Sequence, residues 1–584
     1  MDKIKPQIRQ IKENEVLLRD GFDWLHFKNP DRIIRAEKLD EVLPALHEID
    51  QVVKSQGRYA AGFISYEAAS AFDPALQPRG VSDFPYLWFG IYREPQPVAL
   101  HKPAGRQELR DWKPMTHCKT YHTAIAKIKE YIAEGRTYQV NYTMRLQSDF
   151  TGDTWKFFLQ LAQDQNSTAA FVDTGRYAIC SASPELFFQL DGNVITCRPM
   201  KGTAPRGRTT VEDREQAEWL KNSSKNRAEN VMIVDMIRND LGRIAEMGSV
   251  TVPQLFQTER YPTLWQMTST VRAKTNASLP QIFTSLFPCA SITGAPKLST
   301  MEIIAELENT PRKIYTGTIG YISPQHKAKF NVAIRTALID RERNTAEYGV
   351  GGGIVWDSDS ADEYAEALLK AQVLTQYQEP FSLFETILWT PEGKFFLHDK
   401  HVRRMLDSAG YFDIPMTRNI LEVFLEQISS GFRTPQRVRV LLDQNGDLDA
   451  ESRPFNPLEN QQGLKVHLAK EPVHSSNVFL FHKTTQRVVH DAARQGYEAL
   501  DDVLLYNEKG ELTEFTIGNL VVEFEGQLLT PPVSCGVLAG TFRAQLLETG
   551  QIVEKIVRVE QLGECAKVFR VNSIRGWQRV EIRS

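Results

Sequence analysis

Cysteine is scarce and unpatterned in this sequence. Cys118, Cys180, Cys197, Cys289, Cys535 and Cys565 are scattered over 584 residues with no CxxC pair. That spacing excludes a zinc knuckle and a disulfide framework and leaves reduced, structural thiols as the expectation. An excess of one charge sign is lacking too. The 69 Lys and Arg against 73 Asp and Glu give a formal net charge of -4, with both signs mixed along the chain. No basic stripe therefore marks a nucleic-acid surface, and nucleic acid is not an expected partner. No run approaches the ~20 apolar residues that span a bilayer, and the opening MDKIKPQIRQIKENEV has no apolar core of signal-peptide length. No membrane partner is expected, and the cytoplasm is the expected compartment. Short-period repeats and low-complexity tracts are missing as well, which excludes a solenoid or a tail.

What is present is a globular composition, 42% hydrophobic and 24% charged, in a chain too long for one hydrophobic core. The texture changes near ALLKAQVLTQYQEPFSLFET, where a helix-like segment ends, polar TQYQEP follows and a new apolar start begins. This predicts the main boundary around residues 375 to 380. Ahead of it, strand-like RYAICSAS, GTIGYIS and AKFNVAIRTALI alternate with helix-like TAIAKIKEYIAEG and AENVMIVDMIRNDLGRIAEMG. Beyond it, FSLFETILWT, RVRVLLD, DDVLLYN and NLVVEFEGQLLTPP read as strands, with HDKHVRRMLDSAGYF and TRNILEVFLEQISSGF as helices. Both halves are mixed α and β.

In the first half, SASPELF presents Glu185 after a Ser-Ala-Ser-Pro turn, and RPMKGTAPRG presents Lys201 just before Gly202 and Thr203. A carboxyl and an amine beside such turns can serve as acid and nucleophile, although singly each is ordinarily a solvated surface charge. Glu229 begins a helix-like run in AENVMIVDMIRND, and DSDSADEYAEALLKA sets Glu363, Glu366 and Lys370 at helical spacing. Carboxylates from two helices can clamp a hard cation such as magnesium, and the same spacing also suits a solvent-facing ion-pair ladder. The glycines of GVGGGIVWDS, Gly351, Gly352 and Gly353, permit close backbone approach to a carboxylate, or else mark a bend or bulge. Arg335 in FNVAIRT offers a bidentate clamp, so a dianionic ligand suits the set.

Taken in order, SPELF, PMKGTAPRG, VDMIRND, SITGAPK, YTGTIGYI, FNVAIRT and GGGIVWDSD resemble the chorismate-utilising enzymes, with YQVNYT at 138 to 143 a further match. The resemblance covers about residues 115 to 372 and extends more loosely over residues 1 to 110. It implies an α+β sandwich like that of anthranilate synthase component I, with an N-terminal region at 1–112 and a catalytic domain at 113–375. It also implies chorismate as substrate, bound by Thr293, Lys297, Arg335, Gly351, Gly352 and Gly353. By the same resemblance Lys201 is the nucleophile, Glu185 the general acid, and Glu229 and Glu366, with Glu363 beside them, the ligands of Mg2+. A lysine at position 201 is similar to the branch that aminates chorismate to 4-amino-4-deoxychorismate, alanine being usual in the branch that makes anthranilate. Gln266 departs from the family, which usually carries a histidine there. No Gly-x-Cys-x-Gly nucleophile elbow is found in either half, so ammonia is expected from a separate glutamine amidotransferase subunit.

In the second half, SSNVFLFHKTTQR places Lys483 after an apolar run that would bury its stem, which suits a Schiff-base lysine. Glu514, Thr516 and Asn519 lie together in ELTEFTIGNL, Gly540 and Thr541 form a turn able to hold phosphate, and Arg404 offers a guanidinium. FSLFET, LHDKHVRRMLDSA, HKTTQR, LYNEKGELTEFTIGNL, CGVLAGTFR and VNSIRGW together resemble the class IV pyridoxal-phosphate enzymes, over about residues 380 to 584. That resemblance implies a two-subdomain α/β fold at 380–584 with pyridoxal 5'-phosphate as cofactor. Lys483 would bond it, Glu514 would face its ring nitrogen, Arg404 and Thr541 would hold its phosphate, and Thr516 and Asn519 would line it. Asn572 and Ser573 fall loosely near substrate, and a homodimer through this half is expected. Its implied reaction is elimination of pyruvate to give 4-aminobenzoate. Other readings remain open: an anthranilate- or salicylate-forming first half, a general amino-acid transaminase in the second, or one half kept as a non-catalytic binding module.

Overall fold

In the computed structural model the described residues are 5–583, except 22, 81–82, 101–111, 164–167, 372–373, 375–379, 457–462 and 498. The chain divides into two compact units. One comprises Met1–Pro205 and Ala217–Gln378, and the other Arg206–Gln216 and Glu379–Ser584. The expected boundary at 375 to 380 falls almost wholly on residues outside the described set. The allotment of 206–216 to the second unit has no counterpart in the sequence reading, because that segment is bonded to groups far along the chain.

Alternation builds the first unit. In Tyr59–Ile64, Ala60 and Ile64 join one apolar cluster while Ala61 and Phe63 join another, and in Leu87–Tyr92 the split runs Leu87, Phe89, Ile91 against Trp88 and Tyr92. Period two sends neighbouring side chains to opposite faces, so strands apolar at every position are covered on both sides. The strands form two large, mainly antiparallel sheets of eleven and ten strands. The inter-sheet core takes Val16, Leu18, Ala170, Val172 and Ile179 from one sheet and Ala61, Phe63, Trp88 and Ile319 from the other. Outside them lie helices: Leu39–Gln56, Ser224–Gly242 and Leu279–Leu286 on the ten-stranded sheet, Cys118–Ala133, Thr154–Gln163 and Ser360–Ala371 on the eleven-stranded one. Strands from the first hundred residues enter both sheets, so this region is built into the sandwich.

Two chain crossings between the sheets place the chemistry. Tyr177–Ser183 belongs to the eleven-stranded sheet and Leu186–Asp191 to the ten-stranded one, and the link holds Glu185. Lys327–Val332 and Thr336–Asp340 make the reverse crossing, and that link holds Arg335 at φ 49. The links are stitched together: Val332 N donates to Glu185 O (3.1 Å), Ala182 N to Arg335 O (3.0 Å) and Ser183 Oγ to Val332 O (2.5 Å).

The second unit has two sheets. Leu383–Thr390, Lys394–Phe395, Gln436–Leu442 and Leu448–Pro454 form a four-stranded antiparallel sheet. The helices His398–Tyr411 and Arg418–Ser429 share its apolar cluster, as Val402, Met405 and Ala409 on one helix face show. An eight-stranded sheet pairs Leu464–Leu468 in parallel with Asp502–Tyr506 and with Gly576–Arg583, and its remaining strands run antiparallel save for the pairing of Gln527–Thr530 with Val553–Glu554. A bridge between Leu383 and Thr484 ties the lysine loop to the smaller sheet. Among the described residues no helix is long and apolar enough to cross a membrane.

The inter-sheet layer sets the stability of the first unit. Phe63 is fully buried and stacks on Phe84 (5.1 Å) and Trp88 (6.2 Å). Phe63→Ala is expected to cost ~3–5 kcal/mol, read as a lowered midpoint in urea unfolding, whereas unchanged unfolding would contradict a packed inter-sheet core.

Candidate active sites

In the first unit Lys201 lies on the strand Met200–Pro205. Its amine sits 3.3 Å from where a Cβ on Gly353 would stand, and the Gln139 amide sits 2.5 Å from the same point. A side chain at 353 would therefore collide with Gln139 and crowd the lysine. Gly352 faces Glu363 (Oε2 at 3.1 Å from a built Cβ), and Lys370 donates to Gly351 O (2.9 Å). The three glycines pair with Asn141, Tyr142 and Thr143 of Gln139–Asp149, so this floor is ordered strand.

Burial pulls the Lys201 amine below its ordinary value, against the opposing pull of Glu229 and Glu185. Glu185 is 3% exposed. Burial pushes its carboxyl up to about 7, although the Ser291 hydroxyl (Oγ to Oε1, 2.5 Å) and Lys201 both favour its ionised form. Lowering the amine and raising the acid are shifts toward the states that nucleophilic attack and leaving-group protonation need.

Glu229 and Glu363 are both raised, first by burial and then by repulsion from Glu366, while Lys370, 2.8 Å from Glu366, draws that carboxyl down. Three carboxylates that repel one another beside partial cationic relief suit a hard cation with oxygen ligands. Among the described residues the group of three whose ligand atoms already lie within 4.8 Å of one another is elsewhere, at exposed or half-buried His398, Asp399 and Glu422.

Other expected residues have different employment. Lys297 is paired with Asp240 (2.8 Å) at the start of Lys297–Leu307, and the Thr293 hydroxyl donates to Cys289 O (3.3 Å) and Ala290 O (3.2 Å). Neither is brought by these bonds to Lys201. Arg335 stands over the Tyr261 ring at 5.7 Å. Gln266 donates to Gly202 O (3.0 Å), so it props the backbone next to Lys201. Three residues escaped the sequence reading: Gln139, Ser291, and Asn230, which donates to Lys201 O (3.4 Å) and accepts from Ser269 (2.5 Å). The signal for Gln139 was YQVNYT, with polar residues at 139, 141 and 143 on one face of a buried strand.

In the second unit, burial followed by the nearby Arg404 charge takes the Lys483 amine down to about 8, with Glu385 opposing. Its Nζ lies 4.7 Å from the Phe384 ring centre. Arg404 grips buried Glu385 with two hydrogen bonds (2.7 and 2.6 Å), and His401 Nδ1 donates to the same carboxylate (2.7 Å). A carboxylate accepts only, so the His401 proton is on Nδ1 and Nε2 accepts from Thr541 (3.2 Å). Burial alone would raise Glu385; Arg404 and His401 instead hold it well below the usual carboxylate range. Thr541 opens the helix Thr541–Glu548, whose N-cap Gly540 has no room for a side chain, since a Cβ would stand 1.8 Å from Asn519 Oδ1. Asn519 donates to Glu514 (3.0 Å) from the paired strand position. Thr516 is turned to Asp502 (2.5 Å), and Arg487, also missed in sequence, donates to Thr516 O and couples to Glu514. A buried amine, an arginine, a helix N-terminus stripped of side chain and a buried carboxylate fit pyridoxal 5'-phosphate: lysine for its carbonyl carbon, cationic and N–H donors for its phosphate, an acceptor for its ring N–H.

Residues 13–376 match the family model for chorismate binding enzyme, over more than half of the chain. The chain belongs to the chorismate binding enzymes. Residues 382–582 match amino-transferase class IV. Over 344 residues the chain is 36% identical to aminodeoxychorismate synthase component 1 of Salmonella typhimurium, covering 58% of this chain and 71% of that one. Over 273 residues it is 40% identical to the protein of that name from Escherichia coli, covering 46% and 60%. Anthranilate synthase component I from Streptococcus pneumoniae shares the fold of this chorismate binding enzyme, with a TM-score of 0.51 and 25% identity over 63% of this chain and 94% of that one. The mixed α and β sandwich with a class IV aminotransferase-like region following it agrees with the fold expected from sequence.

Glu385 is the test of the second site's electrostatics. Glu385→Gln strips the half-buried Arg404 guanidinium of its charge partner and is expected to cost ~1.5–3 kcal/mol near neutral pH. The folded carboxyl titrates below its ordinary 4.5, so its contribution is complete above about pH 4.5 and drains away as pH falls further. The gap between wild type and variant in thermal melts should accordingly narrow on acidification, and a gap that widens would refute the assignment.

Proposed function

We propose that the chain makes 4-aminobenzoate in two steps: amination of chorismate to 4-amino-4-deoxychorismate in the first unit, then elimination of pyruvate in the second. The observation that carries the reading is the half-buried Lys201 amine, set against Gly353, drawn below its ordinary value by burial and in electrostatic reach of Glu185. The names of the Salmonella and Escherichia relatives support it.

Lys201 Nζ adds to C2 of chorismate, the two conjugated ring double bonds each shift one position, and the C4–O bond breaks as Glu185 gives its proton to the departing hydroxyl. Ammonia then bonds to C4, both double bonds return to their first positions and the C2–N bond to Lys201 breaks. Glu229 and Glu366, with Glu363 beside them, would hold Mg2+, which when bound neutralises substrate carboxylate charge. Arg335 and the Gly351–Gly353 strand would receive the carboxylates, with Thr293 and Lys297 supporting the surrounding backbone. Ammonia comes from a separate glutamine amidotransferase subunit.

In the second unit pyridoxal 5'-phosphate, when bound, supplies an electron sink. Arg404 and Thr541 would hold its phosphate, Glu514 its ring N–H, with Asn519 and Thr516 fixing Glu514 and its strand. Lys483, titrating near 8, takes the proton from the substrate carbon that bears the amine. Two copies of the chain would associate through this unit.

The test mixes protein with chorismate, Mg2+, pyridoxal 5'-phosphate and ammonium, and separates the products by chromatography. Wild type should yield 4-aminobenzoate, Lys483→Ala should stop at 4-amino-4-deoxychorismate, and Lys201→Ala should consume chorismate at least ~100-fold more slowly. Anthranilate as product would sink the reading. The pH dependence has a sign: Glu185 must be protonated, so amination should fall as pH rises through about 7. Glu185→Gln should lose ~10²–10⁴-fold in kcat and with it that alkaline limb; a limb that survives in the variant would assign it to another group.

A further inference from the structure

Residues Arg206–Gln216 belong to the second unit although the chain reaches them directly from the Lys201 strand. This strap is bonded into the unit through residues 206 to 210. Arg206 and Asp213 form a buried two-point pair (2.7 and 2.9 Å), and Gly207 N donates to the same carboxylate (3.0 Å). Arg206 also donates to Tyr411 O (3.0 Å) and lies 4.3 Å over the Tyr411 ring, whose hydroxyl donates back to Gly207 O (2.7 Å). Arg208 reaches Ser475 O (3.1 Å).

The strap ends its work on His482. This imidazole is 5% exposed and packs 4.4 Å from the Tyr411 ring and 4.9 Å from Phe412. Its Nε2 is 3.1 Å from Arg208 O and its Nδ1 is 2.9 Å from Ser408 Oγ. A carbonyl accepts only, so Nε2 carries the proton and Nδ1 accepts from Ser408. Burial pushes the imidazole down to about 4, which keeps that neutral form in place at working pH. Both ring nitrogens are thereby fixed, and the next residue is Lys483, whose own carbonyl accepts from Phe384 N (2.9 Å).

We propose that His482 is a positioning residue for Lys483, and that the Arg206–Gln216 strap, through the Arg208 carbonyl, completes the lysine site of the second unit with a segment that the sequence places inside the first half. The proposal rests on the reading of Lys483 as the cofactor lysine. A residue whose backbone is clamped on both sides presents its amine in a fixed place, and a shift of ~1 Å at such a group can cost ~100-fold in rate.

The experiment uses the full-length chain with pyridoxal 5'-phosphate as probe. Borohydride reduction followed by peptide mass spectrometry identifies the lysine that bonds the cofactor, and a spectrophotometric pH titration of the bound cofactor reads that lysine's surroundings without turnover. His482→Ala should move the titration midpoint by ~1 unit, a ~tenfold change in proton affinity, and weaken cofactor retention ~tenfold. His482→Gln, still able to donate to Arg208 O, should restore most of both, and Tyr411→Phe, which loses one hydroxyl, should move both in the same direction by less. His482→Ala behaving as wild type overturns the proposal, and Gln performing no better than Ala overturns the route through the strap. Should His482→Ala fail to fold, wild-type titration and retention in Tyr411→Phe overturn it instead. Borohydride labelling of a lysine other than Lys483 in wild type removes the reading of Lys483 and the proposal together, an outcome distinct from altered titration at a labelled Lys483.

Discussion

Desolvation of a lysine amine is the constraint on which both units depend. An ammonium group loses its hydration when protein closes around it, and releasing the proton is cheaper than keeping an unpaired charge. Lys201 and Lys483 are both drawn down by burial before any other influence, and in both cases carboxylates pull the other way. The remaining architecture sets the balance. At Lys201 the opposing groups are Glu229 and Glu185. At Lys483 a second cation, Arg404, adds to the burial effect, and Glu385 is largely spoken for by Arg404 and His401.

The geometry that achieves this differs between the units. In the first, the chain crosses between two sheets at Ser183–Leu186 and again at Val332–Thr336, and the crossings are hydrogen-bonded to each other. A sandwich interior offers little to a polar reactant, but a crossing interrupts the apolar alternation and lets Glu185 and Arg335 appear beside buried strands. In the second, the lysine follows a short apolar turn, Val478–Leu480, and is fastened by a single bridge to the smaller sheet. A loop lysine held by few ladder bonds needs clamps from elsewhere, which is the physical role that the His482 contacts fill.

Much of this was legible in the sequence, and the limits have a common cause. Alternation and helical spacing located the strands around Glu185 and the helix bearing Glu363 and Glu366, because those signals are local. The glycine run was left open between a bend and an anion cradle; it is regular strand, made of glycine because Gln139, Lys201 and Glu363 crowd its face from other elements. Lys297 is assigned to substrate through the resemblance alone; its pairing with Asp240 on the helix Ser224–Gly242 is one that no spacing rule announces. The membership of 206–216 in the second unit was hidden for the same reason, since its partners Tyr411, Ser475 and His482 are remote in sequence.

The carboxylates around Lys201 turn these separate observations into one charge balance. Glu229, Glu363 and Glu366 interact with Lys201, Lys225 and Lys370, three negative groups against three positive ones. The chemistry proposed for Lys201 needs its amine neutral, which leaves three carboxylates facing two ammonium groups. A divalent cation held among those carboxylates would relieve the deficit and, by its own field, would disfavour a proton on the nearby amine. Cation binding and loss of the Lys201 proton therefore favour each other, as linked equilibria must. A metal held there would, besides neutralising substrate carboxylate, favour the neutral form of the Lys201 amine that the proposed chemistry needs.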